Sequence, residues 1–301
     1  MFCTDDKSPS DILKNGCIDN NIQIAIKCGM PPITAIKLAT LNAARHYGIE
    51  RNVGSLAPGR YADIVLFEEL EKIDIRKVFF KGEPICKKKS MIADIRSKYP
   101  SLFDTVKLPF LTAEMLLKKA DVLDGFSNEI CISMKSGSLL TYRSDEALKV
   151  SNGFVTPDIE RDILPIAVIE RYGKNGNIGK AFIKGLGIKK GAVASSTAQE
   201  GNNIVVSGAD PDDMLLAVRS VAAAGGGSAV CVGGKLIALR PMPFCGIMGT
   251  GSIEEEIDAA EKFDEGLKAT GSDDPMLMLK LTVSLCPSIP EIGLTDKGLI
   301  L

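Results

Sequence analysis

The chain has 301 residues, of which 45% are hydrophobic and 25% are charged, and this length and composition suit about two globular domains. Its 36 basic and 38 acidic residues leave a formal net charge of −2, which excludes the strongly basic surface of a nucleic-acid-binding protein. The amino terminus lacks the basic and apolar segments of a signal peptide, and glycines interrupt the longest small-apolar run. We therefore expect a cytoplasmic protein with neither nucleic-acid nor membrane partners.

Eight cysteines are scattered along the chain without any C-x-x-C pair. They are Cys3, Cys17, Cys28, Cys86, Cys131, Cys231, Cys245 and Cys286. A disulfide framework or a structural zinc site needs closer, paired spacing. We expect most of these side chains to be reduced and buried as small hydrophobic groups.

Two adjacent aspartates, Asp5 and Asp6, follow the short apolar start of the chain, which has the character of a buried strand ending at Thr4. Barrel enzymes place metal ligands and proton shuttles at the carboxyl ends of their strands. The same aspartates could instead cap the segment that enters KSPSDIL, a common role for aspartate where a helix begins. The residues alone leave both interpretations open.

The next segments are helical. CIDNNIQIAIKCGM places apolar residues at helical spacing, and PPITAIKLATLNAARHYG begins with two prolines and ends at Gly48, a natural C-terminal cap. These patterns predict two successive amphipathic helices. The sequence then becomes rich in strand signals, with GSLAPGRYADIVLFEEL running from a turn into a strand and KVFFKGEPI turning at Gly82.

A basic and then irregular stretch from about residue 88 to 110 predicts a linker ahead of a final unit. In that unit ILPIAVIERY, AFIKGLG, GAVASS, NIVVSG and SAVCVGGKLIAL are typical of strands. PDDMLLAVRSVAAAGG and SIEEEIDAAEKFDEGLKATG are typical of capped helices. Strands that alternate with helices predict an α/β unit in which helices cover a sheet.

Two long segments resemble a known family. AIKLATLNAARHYGIERNVGSLAPGRYADIVLFEELEKIDIRKVFFKGEPI resembles the segment in which enzymes of the amidohydrolase superfamily leave their last barrel helix and return to a small β-sandwich. VIERYGKNGNIGKAFIKGLGIKKGAVASSTAQEGNNIVVSGADPDDMLLAV and IPEIGLTDKGLI resemble the C-terminal domain of the adenine deaminase family of bacteria and archaea. The resemblance covers nearly the whole chain.

The resemblance implies an α/β fold in several parts. We expect the end of a (β/α)8 barrel, strand eight and the following helices, in residues 1–50. After these come a β-sandwich segment in 51–88 and a linker in 89–110. The last part is an adenine deaminase-like C-terminal domain with helices on a β-sheet in 111–301. A whole barrel needs about 250 residues, so the chain resembles the last third to half of the enzyme, as a fragment or as one half of a split enzyme.

The implied activity is the hydrolytic deamination of adenine to hypoxanthine and ammonia by a metal-activated water, a step of purine catabolism. The resemblance makes Asp5 a metal ligand and the proton shuttle, and Asp6 either a partner of the metal-bound groups or a hydrogen-bond acceptor for the substrate ring. The implied metal is divalent, manganese, iron or zinc. The implied partners are a purine substrate, an N-terminal barrel half and further copies of the chain in a homo-oligomer.

The expected metal ligands are scarce in this chain. Amidohydrolases place an H-x-H pair on the first barrel strand, whereas this sequence has a single histidine, His46, near a helix end. A histidine there more commonly interacts with the helix dipole or lies at the surface than binds a metal. We therefore expect the chain by itself to retain no metal and to be inactive.

Several positions where the family pattern has histidine hold other residues here. These positions are Cys17, Tyr172, Gln199 and Asn202. A thiolate at position 17 could bind zinc in principle, but a packed side chain is the commoner role. Glu200 and Asn203 keep polar character in the same loop, although a solvated turn explains them equally well. The alternative function is thus a non-catalytic C-terminal module for assembly or purine binding that has lost its catalytic barrel.

Overall fold

The computed structural model describes residues 1–5, 7–85, 96–288 and 291–301. These residues divide into two compact units, Met1–Met91 and Ile92–Leu301, which we call the N-terminal and C-terminal units. Within the described ranges, no helix has both the length and the hydropathy needed to cross a bilayer. Asp6, Cys86 and residues 89–95 of the predicted linker lie outside the described residues.

The N-terminal unit contains short helices followed by a small antiparallel sheet. The helices are α1 (Pro9–Asn15), α2 (Ile18–Lys27), α3 (Pro32–Ala39) and α4 (Leu41–His46). The strands are β1 (Ile64–Phe67), β2 (Ile75–Phe80) and β3 (Glu83–Pro84), in the order β1-β2-β3. The strands predicted in ADIVLF and KVFF are confirmed.

The single helix predicted for PPITAIKLATLNAARHYG is wrong, because Thr40 divides it into α3 and α4. The backbone of Thr40 leaves the helical region with φ −127° and ψ −93°. Its Oγ1 donates a hydrogen bond of 2.7 Å to the Ile36 carbonyl, and such a side-chain bond competes with the helical backbone pattern. A β-branched residue with a local hydrogen bond thus ends one helix, and the next begins at once.

The strand predicted to end at Thr4 is also wrong for residues 1–5, which carry no strand assignment. The Phe2 N–H instead donates a hydrogen bond of 3.0 Å to the carbonyl of Leu38 in α3. A strand is defined by pairing with a neighbouring strand, whereas this segment bonds to a helical residue.

The C-terminal unit is built on a large mixed sheet. Its strands are β4 (Gly125–Met134), β5 (Thr141–Ser151), β6 (Phe154–Val155), β7 (Ile163–Ile169), β8 (Ile178–Lys184), β9 (Ala192–Ser195), β10 (Ile204–Gly208), β11 (Gly227–Val232) and β12 (Lys235–Pro241). In the described residues the sheet has nine strands in the order β12-β11-β9-β10-β7-β8-β4-β5-β6. Its pairs are antiparallel except β4 with β8, which is parallel.

Helices cover both faces of this sheet, as the alternating pattern predicts. The helices are α5 (Pro211–Ala223), α6 (Ile253–Leu267) and α7 (Leu277–Val283), and a separate hairpin consists of β13 (Gly293–Thr295) and β14 (Gly298–Ile300). Short 3₁₀ turns occupy Pro100–Phe103, Ala113–Leu116 and Lys268–Thr270.

The core explains why β7 is apolar at every position. All seven residues of ILPIAVI are buried, because β7 lies in the middle of the sheet and both of its faces are covered. Val168 belongs to the cluster beneath α6 and α7, whereas Ala167 and Ile169 belong to the cluster beneath α5. The expected α/β fold class, with helices on a β-sheet, is confirmed.

Candidate functional site

Asp5 lies at the end of a segment that the helices of the N-terminal unit hold in place. Asn21 in α2 donates a hydrogen bond of 2.8 Å from its Nδ2 to the Cys3 carbonyl. The Asp5 side chain itself is exposed. The capping alternative does not apply to Asp5, since the N-cap of α1 is Ser8, which forms a capping box with Asp11. Asp6, the second predicted catalytic residue, lies outside the described residues.

Cys17 and His46 have local structural roles in the same unit. The Cys17 thiol is a half-buried donor to Thr4 Oγ1 at 3.8 Å, so it packs against the segment that leads to Asp5. His46 ends α4, is exposed, and meets the ring of Tyr47 edge-on with 5.1 Å between ring centroids. Both arrangements agree with the structural interpretations given above.

Most of the other polar residues singled out in the sequence meet at one end of the C-terminal sheet. Tyr172 lies in the turn between β7 and β8, and Gln199, Glu200, Asn202 and Asn203 lie in the loop between β9 and β10. Ile169 and Ile204, the strand ends beside these two connections, are paired in the sheet. Tyr172 Oη donates a hydrogen bond of 3.2 Å to the Gly201 carbonyl, which joins the turn to the loop.

Glu170 organises the turn between β7 and β8. Its buried carboxylate accepts hydrogen bonds from four backbone N–H groups, those of Tyr172 at 2.6 Å, Lys174 at 3.0 Å, and Asn175 and Gly176 at 3.2 Å. Burial alone would raise the pKa of Glu170, but the backbone donors outweigh it and hold that pKa below its ordinary value. The charged carboxylate therefore fixes the turn that carries Tyr172.

Arg171 joins three loops at the same end of the sheet. The side chain is 1% exposed, and its guanidinium donates to the carbonyls of Asn202 and Cys245 and to the hydroxyl of Thr105. Burial lowers the pKa of Arg171, although an arginine keeps its charge under such conditions. The residue thereby anchors the loop that carries Glu200 and Asn203.

Asp296, which the sequence analysis did not single out, lies in the turn between β13 and β14 and joins the polar residues at this end of the sheet. Its carboxylate accepts hydrogen bonds from Asn203 Nδ2 at 3.2 Å and Asn177 Nδ2 at 3.3 Å. Gly179 allows this approach, because a Cβ at position 179 would lie 1.8 Å from the Thr295 carbonyl oxygen. The TDKG motif signals a turn in the sequence, but no local pattern tells which residues the aspartate meets.

Glu200 forms further polar contacts that the sequence did not predict, with residues near the end of the chain. Its Oε1 accepts hydrogen bonds from the Cys286 thiol at 3.1 Å and from Ser288 Oγ at 2.9 Å. Glu200 has φ 63° and Asn202 has φ 46°, a left-handed conformation that is uncommon for residues other than glycine. The hydrogen bonds of Glu200 to Cys286 and Ser288 therefore hold the loop between β9 and β10 in an uncommon backbone conformation.

A cavity of about 250 Å³ opens between these residues. Its polar lining includes Glu200, Asn203 and Asp296. Asn203 is 8% exposed, and its Oδ1 has no hydrogen-bond partner in the described part of the chain. A buried polar atom left without a partner typically costs about 1–3 kcal/mol. The cavity thus combines two carboxylates with an amide oxygen that lacks a donor.

A catalytic metal centre normally draws three or more ligands from the protein. Among the described residues, no group of three or more histidine, cysteine, aspartate or glutamate side chains could hold a metal ion. The donor set in residues 1–5, 7–85, 96–288 and 291–301 therefore does not form a complete metal site, and any centre that includes Asp5 needs ligands from outside this set.

Comparison with protein families identifies the chain. Residues 138–300, more than half of it, match the model of the adenine deaminase C-terminal domain, and residues 1–85 match the amidohydrolase family. The chain belongs to the adenine deaminase family. The C-terminal domain match includes β7 to β14 and hence the whole polar cluster, whereas the amidohydrolase match includes Asp5.

Curated adenine deaminases align with the chain from end to end. The relative from Desulforamulus reducens is 37% identical over 100% of this chain and 51% of its own length. The relative from Dehalococcoides mccartyi is 35% identical over 100% of this chain and 52% of its own length, and that from Methanococcoides burtonii is 37% identical over 99% and 50%. The chain spans about half the length of the curated relatives it matches.

Proposed function

We propose that the chain is the C-terminal part of an adenine deaminase, a hydrolase that converts adenine and water to hypoxanthine and ammonia. The observation that carries the proposal is the end-to-end similarity to proteins of that name, such as 37% identity over 100% of the chain. The amidohydrolase match begins at residue 1 and so includes the predicted catalytic aspartates.

In this reaction Asp5 is the proposed proton shuttle. Water adds to C6 of adenine, the aspartate accepts a proton from that water, and it returns the proton to the departing amine, so that ammonia leaves and hypoxanthine remains. The exposure of the Asp5 carboxylate supports this role, because the group is open to a reactant. Asp6 is proposed to stabilise the site or the substrate ring through hydrogen bonds.

The proposed enzyme also needs groups from outside the described residues. A divalent metal ion, manganese, iron or zinc, lowers the pKa of the attacking water when bound, and Asp5 is the ligand that this chain would contribute. The other ligands belong to the barrel half, which we assign to the part of the relatives that this chain does not span.

We further propose the division of the sequence given above, with barrel-end residues 1–50, sandwich residues 51–88, linker 89–110 and C-terminal domain 111–301. The division of the chain into units 1–91 and 92–301 supports a boundary in the linker. A homo-oligomer and a role in purine catabolism complete the proposal. The seven cysteines among the described residues are free, which suits the cytoplasm.

Reconstitution tests this function. The barrel half of the Desulforamulus reducens relative is co-expressed with this chain, and ammonia release from adenine is measured with added manganese, iron or zinc. We expect activity from the pair and none from this chain alone. Asp5→Ala should lower kcat by about 10²–10⁴-fold, the usual contribution of a general acid–base group. Asp6→Asn should have a milder effect.

The matched control is Asp74→Ala, which removes another aspartate of the N-terminal unit, one that is half-exposed and paired with Arg76. It should leave the activity of the pair unchanged. Activity of the pair that survives Asp5→Ala would contradict the role of Asp5. No activity from an assembled pair that contains metal would favour the second candidate, a non-catalytic assembly or purine-binding module. That candidate is supported by the core and cavity that the C-terminal unit forms from its own residues.

A further inference from the structure

The cavity in the C-terminal unit has a polar side made of hydrogen-bond acceptors. The carboxylates of Glu200 and Asp296 line it together with Asn203. The Asn203 amide is oriented by its Nδ2, which donates to Asp296 Oδ1 at 3.2 Å. Its Oδ1 is consequently an acceptor and is the atom without a partner in the described residues. A ligand that satisfies this side must donate hydrogen bonds.

The charged side chains that line the cavity determine the sign of the charge that a ligand can carry. Two carboxylates face the cavity, and no lysine or arginine from the described ranges lines it. An anionic ligand would meet two like charges without compensation. The described residues form no group of three or more histidine, cysteine, aspartate or glutamate side chains that could hold a metal ion, and the cavity itself offers two carboxylates. An organic cation with N–H groups meets both requirements.

The remaining walls decide the shape of the ligand. Val168, Leu285 and Leu294 line the cavity and are at most 4% exposed themselves, so they offer an apolar surface to a bound group. The volume of about 250 Å³ is slightly below the ~300–1,000 Å³ typical of ligand pockets. It accommodates one ring rather than an extended molecule.

From these observations we propose that this cavity binds a small planar amidinium-type cation, with its N–H groups directed to Glu200, Asp296 and Asn203 and its apolar part against Val168, Leu285 and Leu294. An amidinium presents several N–H donors in one plane, and charge-assisted hydrogen bonds to carboxylates are stronger than neutral ones. The binding site goes beyond the proposed deaminase activity, and its occupation does not depend on catalysis.

The test measures binding by isothermal titration calorimetry with the full chain. The probe is benzamidine, and the comparison is benzamide, a neutral molecule of the same shape in which an oxygen replaces one nitrogen. We expect benzamidine to bind with one molecule per chain and at least tenfold more tightly than benzamide. Glu200→Gln and Asn203→Leu should each weaken benzamidine binding at least tenfold. Asp145→Asn, which neutralises an exposed carboxylate paired with Arg143, should change the affinity less than twofold.

Equal affinity for benzamidine and benzamide would overturn the proposal, as would unchanged affinity in either cavity variant or no binding of benzamidine. If Asn203→Leu fails to fold, Glu200→Gln decides the question, since Glu200 is exposed and its substitution keeps the side-chain size. The assay contains no barrel half and measures no deamination. Its failure therefore leaves the proposed function untouched, and failure of the reconstitution leaves this binding site standing.

Discussion

The two units bury very different amounts of apolar side chain. In the N-terminal unit the buried hydrophobic residues within the described ranges are Ile22, Ala35 and Ala44. The C-terminal unit buries clusters on both faces of its sheet, with side chains such as Leu164 and Phe182 completely inaccessible. Both units form regular helices and strands. Helices and strands can therefore form with few buried side chains, whereas independent stability needs an apolar core.

The small sheet of the N-terminal unit illustrates the weakness of local structure alone. Val65 and Leu66 are neighbours in β1 and point to opposite faces, yet they are 46% and 47% exposed. Neither face of that strand is therefore well covered by the described residues. Sheets of two or three strands need a packed face for independent stability.

Limited proteolysis should show the largest difference between the units. We expect the N-terminal unit of the isolated chain to be cut first, by at least ~100-fold in initial rate, because poorly packed segments open at little cost in free energy. A resistant fragment should begin near residue 100. Mass spectrometry of the products over time provides the measurement. Uniform resistance across residues 1–88 would contradict the expected weakness of the N-terminal unit, and protection by added barrel half would show that contacts with that half stabilise it.

Removal of a leucine side chain should lower the free energy of unfolding much more in the C-terminal unit than in the N-terminal unit. Leu164→Ala creates a cavity at a position that is 0% exposed and should lower the free energy of unfolding of the C-terminal unit by about 2–5 kcal/mol. The matched Leu66→Ala change, at 47% exposure, should stay within ~0.5 kcal/mol. Urea unfolding followed by circular dichroism measures both. Similar losses in the two variants would show that the units are equally well packed.

Arg171 tests whether the loops of the C-terminal unit depend on buried hydrogen bonds. Arg171→Met leaves the half-buried carbonyls of Asn202 and Cys245 without their buried guanidinium donor, which should cost about 1–3 kcal/mol of unfolding free energy. Arg143→Met is the control, since Arg143 forms an exposed ion pair with Asp145 worth ~0–1 kcal/mol. Chemical denaturation compares them. An equal effect of the two substitutions would mean that the hydrogen bonds of Arg171 add nothing to the free energy of unfolding beyond that of an exposed ion pair.

Glu170 should make a smaller, pH-dependent contribution. Its pKa is lowered in the folded chain from the ordinary value of 4.5, so its stabilisation is present above that unfolded-state pKa and is lost as the pH falls through the lower folded-state pKa. Glu170→Gln should cost about 1–2 kcal/mol at neutral pH and should weaken the acid dependence below pH 4.5. Thermal unfolding at a series of pH values measures both. An unchanged acid limb in Glu170→Gln would disprove the role of this carboxylate.

Prediction from the sequence succeeded where the controlling interactions are local. The apolar run ILPIAVI predicts a strand, and the structure confirms it as β7 in the middle of the sheet. The helix that begins at Ile253 has Ser252 as its N-cap, and Ser252 forms with Glu255 of the first turn the capping box that the sequence suggests. Prediction failed at Thr40, where a side-chain hydrogen bond to Ile36 outweighs a continuous helical pattern.

Some residues of the candidate sites were likewise singled out by the sequence, and others were not. The sequence singled out Asp5 by resemblance to the adenine deaminase family, and it singled out the loop that contains Glu200 and Asn203 by its polar residues, for which a solvated turn was an equally good explanation. Glu170, Arg171 and Asp296 could not, because an aspartate in a turn and charged residues after a strand are ordinary features. The roles of these three residues depend on the backbone and side-chain partners that folding brings to them.

Local patterns in the sequence predicted five strand segments and two capped helices of the C-terminal unit, because apolar periodicity and caps act between residues only a few positions apart. They did not predict β4, β5 or α7. The family followed from the resemblance of long segments. No local pattern predicts that Asn203 bonds to Asp296 across 93 positions or that Glu200 bonds to Cys286 across 86. Those hydrogen bonds depend on the order of the strands and on the close approach of the terminal hairpin at Gly179. The physical reason is that a hydrogen bond between distant residues forms only after the whole sheet has brought their backbones together.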